Sequence, residues 1–370
     1  MKLIILKNNL KEGLSAVERA VGENNKLPIL KNVLIKTGNG KIKLSATNLE
    51  LGITKLISGK IIEDGSLTIP LGTFYSIVNN SDSERINLEV KNNVLLFKTD
   101  NYEAKIQGIS EEEFPIIPKI ENENQCLEIE ASILKNALNK VINATQISEV
   151  RPEISGVLLD FQITTLKLVA TDSFRLAEKT LYEKYFKSNF NRGFKIIVPL
   201  KTAQEVIRIF HNEKLIKIYT DPTQILFRSE DLELISRLID GEYPDYHQIV
   251  PKEINLEVHA NRDYLVNAVK LVCNFSSKIN DIKIKIKNDS NNLEIYSANQ
   301  HLGENNYLVP AKFKGDFNGE ISFNWKFLLD GLKAIESENL VFGINGEIRP
   351  SIIKSQEETS YFYILMPIKV

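Results

Sequence analysis

Residues 169–177 read VATDSFRLA, an apolar run that breaks on a Thr-Asp pair and then resumes. Two similar stretches stand elsewhere in the chain, LSATNLEL at 44–51 and IYSANQHL at 295–302. Each is strand-like up to its alanine, and each breaks at a small polar residue: Asn48, Asp172 or Asn299. Asn and Asp form turns because their short side chains accept hydrogen bonds from the backbone two residues on. Three such turns at near-equal spacing predict an internal repeat, and the changing polar residue reads as architecture rather than chemistry.

Other landmarks keep the same period. EEFPIIPK (112–119), GEYPDYHQIVPK (241–252) and the terminal YILMPIKV place prolines at 115, 244 and 367. MKLIILKNNLKEGLSAVERAV, CLEIEASILKNALNKVINA and NLEVHANRDYLVNAVKLVC each read as a strand, a capping residue and an amphipathic helix. In the first helix Leu10, Leu14, Val17 and Val21 share a face behind an Asn9 cap. In the second Ser132 caps Leu134, Leu138 and Val141. In the third Asn261 or Asp263 caps Leu265, Val269 and Val272. PLGTFYSIVNN, PLKTAQEVIRIFHNE and NWKFLLDGLKAIESE supply a second helix per unit, while IKLSATNLELGITKLI and QILFRSEDLELISRLI alternate as strands do.

A period of about 125 residues exceeds that of solenoid repeats and is domain-sized. The expectation is an α+β chain of three repeated domains, 1–122, 123–252 and 253–370, each with two helices on antiparallel sheet. Three equal domains in a row, each with exposed sheet edges, invite end-to-end assembly into a curve or ring.

Composition narrows the function. The 370 residues are 43% hydrophobic and 25% charged, enough for real cores, and no apolar run reaches the length of a membrane helix. The start carries no signal-peptide pattern, so a cytoplasmic protein is expected. Net charge is −2, with 46 basic and 48 acidic residues, which argues against a tight direct grip on nucleic acid. Cys126 and Cys273 form no metal or redox motif, and His211, His247, His259 and His301 lack ligand spacing. No phosphate-binding loop or nucleophile elbow is present, and nothing in the sequence places Asp160 with Asp172 as an acid–base pair. No catalytic site, metal or cofactor is expected. The apolar end YFYILMPIKV reads first as a last core strand, and alternatively as a protein-binding surface.

LPILKNVLI, SATNLELG, VATDSFRLA, LIDGEYPDY and YILMPIKV together resemble the signature stretches of the bacterial sliding clamp, the DNA polymerase III beta subunit. The resemblance spans the chain in order, threefold repeat included. It implies clamp-type domains, a head-to-tail homodimer closing a ring, and duplex DNA passing through without being read. It also implies a non-catalytic processivity factor with no membrane association. Its partners would be the DNA polymerase III catalytic subunit, an ATP-driven clamp loader and other replication and repair proteins carrying the clamp motif. Those partners would dock by short peptides in an apolar cleft between the second and third domains.

Carried over by motif position, the resemblance implies a cleft made by Ile154, Thr171, Ser173, Phe174, Arg175 and Leu176, with Pro244, Gln248 and Ile249. The third domain would add Asn324, Phe327, Ile348 and Pro350, and the end Ile364, Leu365, Met366, Pro367, Ile368, Lys369 and Val370. Ile154, Leu176, Ile249, Ile364 and Met366 would form a dry pocket for a partner's Leu or Phe, and Arg175 would bond peptide carbonyls. The helices offer DNA-facing candidates: Lys11, Arg19, Lys135, Lys140, Lys201, Arg208, Arg262, Lys270, Lys326 and Lys333, together with Arg151 from the loop RPEI.

Ser173–Phe174 stands where the family commonly has Gly-His, and Gln248 where it commonly has arginine, which leaves the peptide preference open. The loss of glycine also stiffens the turn. For ring closure, the strand NYEAKIQGI would present Ile106 to Val272 or Cys273. Two other readings compete: a scaffold of the same tripled domain that does not encircle DNA, and an enzyme, which lacks the polar cluster it would need.

Overall fold

In the computed structural model, residues 1–22, 27–211, 214–287, 291–317 and 319–369 are described. Three helix pairs follow the repeat: α1 (Lys7–Val17) and α2 (Leu71–Asn80), α3 (Ala131–Val141) and α4 (Leu200–Ile209), α5 (Arg262–Val272) and α6 (Trp325–Ala334). The apolar faces are as the spacing predicts: Leu10, Leu14 and Val17, then Leu134, Leu138 and Val141, then Leu265, Val269 and Val272 are buried. Val21 departs from its helix, because the chain tightens to a 3-10 turn at Glu18–Ala20 and leaves it half-buried beyond.

The helix starts correct two caps. α1 begins at Lys7, and Asn9 lies inside it, with Nδ2 donating to the Ser58 carbonyl. Ser132 likewise lies inside α3. Asn261 does cap α5, its Oδ1 accepting from Asp263 N and Tyr264 N. A repeated backbone bond supports all three starts: Lys7 N donates to Glu84 O, Ala131 N to Lys214 O and Arg262 N to Glu338 O. A carbonyl near the second helix of the same repeat thus meets the first orphan N–H, so a side-chain cap is dispensable.

The chain divides into two compact units: Met1–Ser132 with Phe186–Phe190 and Gln204–Leu238, and the remainder. The first holds a five-stranded and a nine-stranded antiparallel sheet, and the second a twelve-stranded sheet. Each large sheet crosses a repeat boundary. In the first unit Leu51–Ile57 pairs with Leu232–Arg237; in the second Arg175–Tyr182 pairs with Tyr361–Leu365. The second repeat therefore contributes strands to both units, one set beside the first repeat and the other beside the third.

A buried lysine sits at the same register position in each crossing. Lys55, paired with Leu232, bonds Asp231 at 2.7 Å and Glu12 at 3.0 Å. Lys179, paired with Tyr361, bonds Glu358, which also accepts from Lys140 at 2.9 Å. Burial alone would raise the Glu358 pKa; the ammoniums of Lys179 and Lys140 outweigh it and hold it at about 2.

Candidate functional site

The three polar turns share one construction. Asn48 Oδ1 accepts from Glu50 N and Leu51 N, Asp172 Oδ1 from Phe174 N and Arg175 N, and Asn299 Oδ1 from His301 N. Thr171 Oγ1 adds a 2.7 Å bond to Arg175 O, as Thr47 does to Leu51 O at 3.0 Å. The polar residue at each turn is a backbone cap, as expected of a turn former.

The middle turn gains a buried charged lock. Arg175 Nε donates to Asp172 Oδ2 at 2.8 Å, and Nη1 to Asp330 Oδ2 at 2.6 Å. The guanidinium carbon stands 4.2 Å from the ring centroid of Phe327, a cation–π contact. Asp330 follows Phe327 by one helical turn on α6, so one helix face presents both to the arginine. That face is held close: a Cβ on Gly331 would meet the Tyr363 ring at 2.4 Å, and Tyr363 OH donates to Phe327 O. With Nε and Nη1 committed to carboxylates, Arg175 is a strut of the turn.

Beneath the turn, Leu176 and Ile364 are paired across the sheet and fully buried in a cluster with Leu158, Val169, Ile197, Tyr246 and Ile352. Ile154 is 4% exposed. These residues form the floor of an apolar surface rather than its lining. Phe174 (60%), Ile249 (42%) and Ile348 (62%) are the exposed apolar members, and Met366, Pro244, Pro350 and Phe327 are half-buried. The chain end continues the ladder: Met366 N donates to Phe174 O at 2.8 Å and Ile368 N to Ser322 O at 2.7 Å. Leu365 is buried, Pro367 half-buried and Lys369 exposed; Val370 lies outside the described residues. Gln248 donates to Asp245, and Asn324 is the N-cap of α6, so both have local partners.

Ser173 stands at φ +76°, in the left-handed region that favours glycine. Its Oγ accepts from Arg151 Nη1 at 2.9 Å, and Arg151 Nε donates to Glu153. Arg151 is thus tied to the turn by one side-chain bond, where the resemblance implies a DNA contact.

The helix cations divide. Lys11, Arg19, Lys201, Lys270, Lys326 and Lys333 are exposed. Arg208 is held by Glu205 and the carbonyls of Ser15 and Ala16, Arg262 by Asp263 and the Ile335 carbonyl, and Lys135 is half-buried. Lys140 is a correction. It is 7% exposed and paired with Glu358 and Glu336, so it cannot present its charge to a duplex. The periodicity showed its helix but not the acids, which come from residues some 200 positions away.

The strand carrying Ile106 is Glu103–Gln107, the end strand of the five-stranded sheet, as an edge pairing requires. Ile106 itself points inward at 6% exposure, and Val272 is 0% exposed in its own core. Val272 offers no surface; its neighbour Leu271 is 54% exposed and Cys273 is half-buried. The helix period had assigned Val272 to the core, and the core prevails.

Sequence reasoning missed Asp330, Glu358 and the role of Lys179. An isolated acid at i+3 from Phe327 was the one visible hint. Among the described residues no group of three or more His, Cys, Asp or Glu is arranged to hold a metal, and no helix is long and apolar enough to cross a membrane.

Three family profiles match in order: the DNA polymerase III beta subunit N-terminal domain at residues 1–118, the central domain at 128–245 and the C-terminal domain at 247–369. The beta sliding clamp of Synechococcus elongatus is 29% identical over 378 residues, and that of Bacillus subtilis 27% over 384, each covering 100% of both chains. Among solved structures, the Bacillus subtilis DNA polymerase sliding clamp superposes with TM-score 0.94 at 25% identity, covering 100% of this chain and 99% of that one. A Pseudomonas aeruginosa sliding clamp bound to griselimycin has the same fold, with TM-score 0.93 at 24% identity over 100% of both chains.

Proposed function

The chain belongs to the DNA polymerase III beta subunit family, and on the premise that it is a DNA sliding clamp we propose which of its surfaces do the work. Its three domains, 1–122, 123–252 and 253–370, act as a non-catalytic cytoplasmic processivity factor. Two copies join head to tail around duplex DNA. The exposed helix cations Lys11, Arg19, Lys201, Lys270, Lys326 and Lys333 supply diffuse attraction to phosphates, which lets the ring slide rather than stop at a sequence. Clamp loader, polymerase and other motif-bearing proteins are its partners.

The partner cleft lies on the locked turn. The observation that carries this is the continuity of the turn with the chain end: Met366 N bonds Phe174 O, so an extended peptide laid over Phe174, Ile249, Ile348 and Met366 meets apolar side chains above a rigid floor. Arg151, tied to Ser173, stands at the same turn and is reassigned here from DNA contact.

Two measurements test the reading. A fluorescent clamp-motif peptide should bind the intact protein with micromolar affinity and lose binding in an Arg175→Ala, Met366→Ala double variant; unchanged binding in the variant would place the cleft elsewhere. Protein loaded on nicked circular DNA should dissociate when the circle is linearised. Retention on linear DNA would favour a scaffold that does not encircle.

A further inference from the structure

The two junctions between repeats carry a cation at one shared register position. In the first unit Leu226 pairs with Ile235 and Arg228 with Glu233; in the second Ile352 pairs with Ile364 and Lys354 with Phe362. Ile235 and Ile364 pair in turn with Gly52 and Leu176, so Arg228 and Lys354 are equivalent.

The chain itself covers the first position. Ile117, on the connector between repeats one and two, packs on Gly52, and Ile120 joins Tyr219, Leu226 and Ile235 in an apolar cluster. Three residues past Ile120, Glu123 accepts from Arg228 Nη1 at 2.6 Å and Nη2 at 2.8 Å. Glu233 stands 2.8 Å from Nε. This face is therefore closed by an extended segment that lays apolar side chains on the cluster and then a carboxylate on the cation.

At the second junction the connector brings a lysine instead. Lys252, Ile254, Glu257, Lys314, Gly315 and Lys354 line an open depression of about 490 Å³. Gly315 stands at φ +100°, and a Cβ there would meet Asn255 O at 2.1 Å, so this glycine lets the strand carrying Lys314 end against the connector. Glu257 is shared between Lys314 at 3.6 Å and His259 at 3.4 Å. Among the described residues Lys252 and Lys354 have no ion-pair partner. Lys252 and Lys314 are exposed and Lys354 is half-buried. Like charges gathered in one depression repel one another and draw in an anion.

Resting on the peptide-cleft reading above, we infer that this depression receives the carboxylates of an acidic segment flanking the clamp motif of a partner protein. Lys354 lies two residues from Ile352, on the same face as the cleft floor, and Lys252 lies three residues past Ile249 at its rim. An extended chain rises about 3.3 Å per residue, so a peptide leaving the cleft needs only a few residues to reach both lysines. The partner then reproduces at the second junction what Ile120 and Glu123 do at the first. Charge at this rim sorts partners by their flanking residues, while the motif supplies the anchor.

The test uses a fluorescent clamp-motif peptide extended, at one end or the other, by a short run of glutamates or of glutamines. At low salt one glutamate peptide should bind the native protein about tenfold more tightly than its glutamine counterpart, a gain that a few exposed ion pairs supply. Added salt should erase the gain. A Lys314→Gln, Lys354→Gln variant should lose the gain and bind the glutamine peptides as the native protein does, with an unchanged melting temperature. Equal binding of glutamate and glutamine peptides, or a gain that survives in the variant, overturns the inference and leaves the cleft standing. A thymidine oligonucleotide that binds the native protein but not the variant, with no gain for either glutamate peptide, overturns it in favour of nucleic acid. Failure of every peptide to bind the native protein overturns the cleft as well.

Discussion

Arg175 Nη1 donates to Asp330 Oδ2 at 2.6 Å, joining a hairpin turn to a helix 155 residues further along the chain. The same guanidinium closes on Asp172 and lies over Phe327, so a single side chain fixes the turn, the helix and the ring between them. The surface proposed for partner peptides depends on this strut being in place before a peptide arrives, since pre-ordering removes an entropic cost of binding.

Replacing Arg175 by alanine leaves Asp172 and Asp330 without their cation in a half-buried site. Stability should fall by about 3 kcal/mol in urea denaturation. Arg175→Lys should recover only part of this, because an ammonium cannot reproduce the fork that spans two carboxylates.

Glu358 couples stability to acid. Its folded pKa of about 2 lies below the ordinary carboxylate value of 4.5, so its contribution is full above pH 4.5 and fades as pH falls toward 2. Melting temperature should therefore drop more steeply between those values in the native protein than in Glu358→Gln, which starts lower and is flatter. Parallel profiles would show that the Lys140–Glu358–Lys179 cluster adds nothing.

Ser173 occupies left-handed backbone at φ +76°. Ser173→Gly should relieve about 1 kcal/mol of that strain while freeing Arg151 from its hydroxyl partner. A raised melting temperature together with weakened peptide binding is the expected pair of results. A lowered melting temperature would mean that the Arg151 bond outweighs the backbone cost.

The exposed helix lysines should act on DNA through charge alone. Lys201→Glu and Lys270→Glu should each lower retention on closed circular DNA and reduce the salt dependence by about one phosphate contact. Lys140→Glu should instead lower the melting temperature, since that residue faces Glu358 and Glu336.

The amino-acid order by itself determined the threefold repeat, the six helices and the polar turns. Those depend on local periodicity and on side chains capping their own backbone, and both are written within a few residues of each other. Leu10, Leu138 and Val269 could be assigned to cores on spacing alone. Only the tertiary structure decided which charges are available. Lys140 and Lys11 look alike as helix lysines, yet one is buried against acids brought from the third repeat and the other is exposed. It likewise turned Ile106 inward, and moved Arg151 onto Ser173. Ion pairing and exposure are set by what the sheets bring together across more than a hundred residues, and a local pattern carries no record of that meeting.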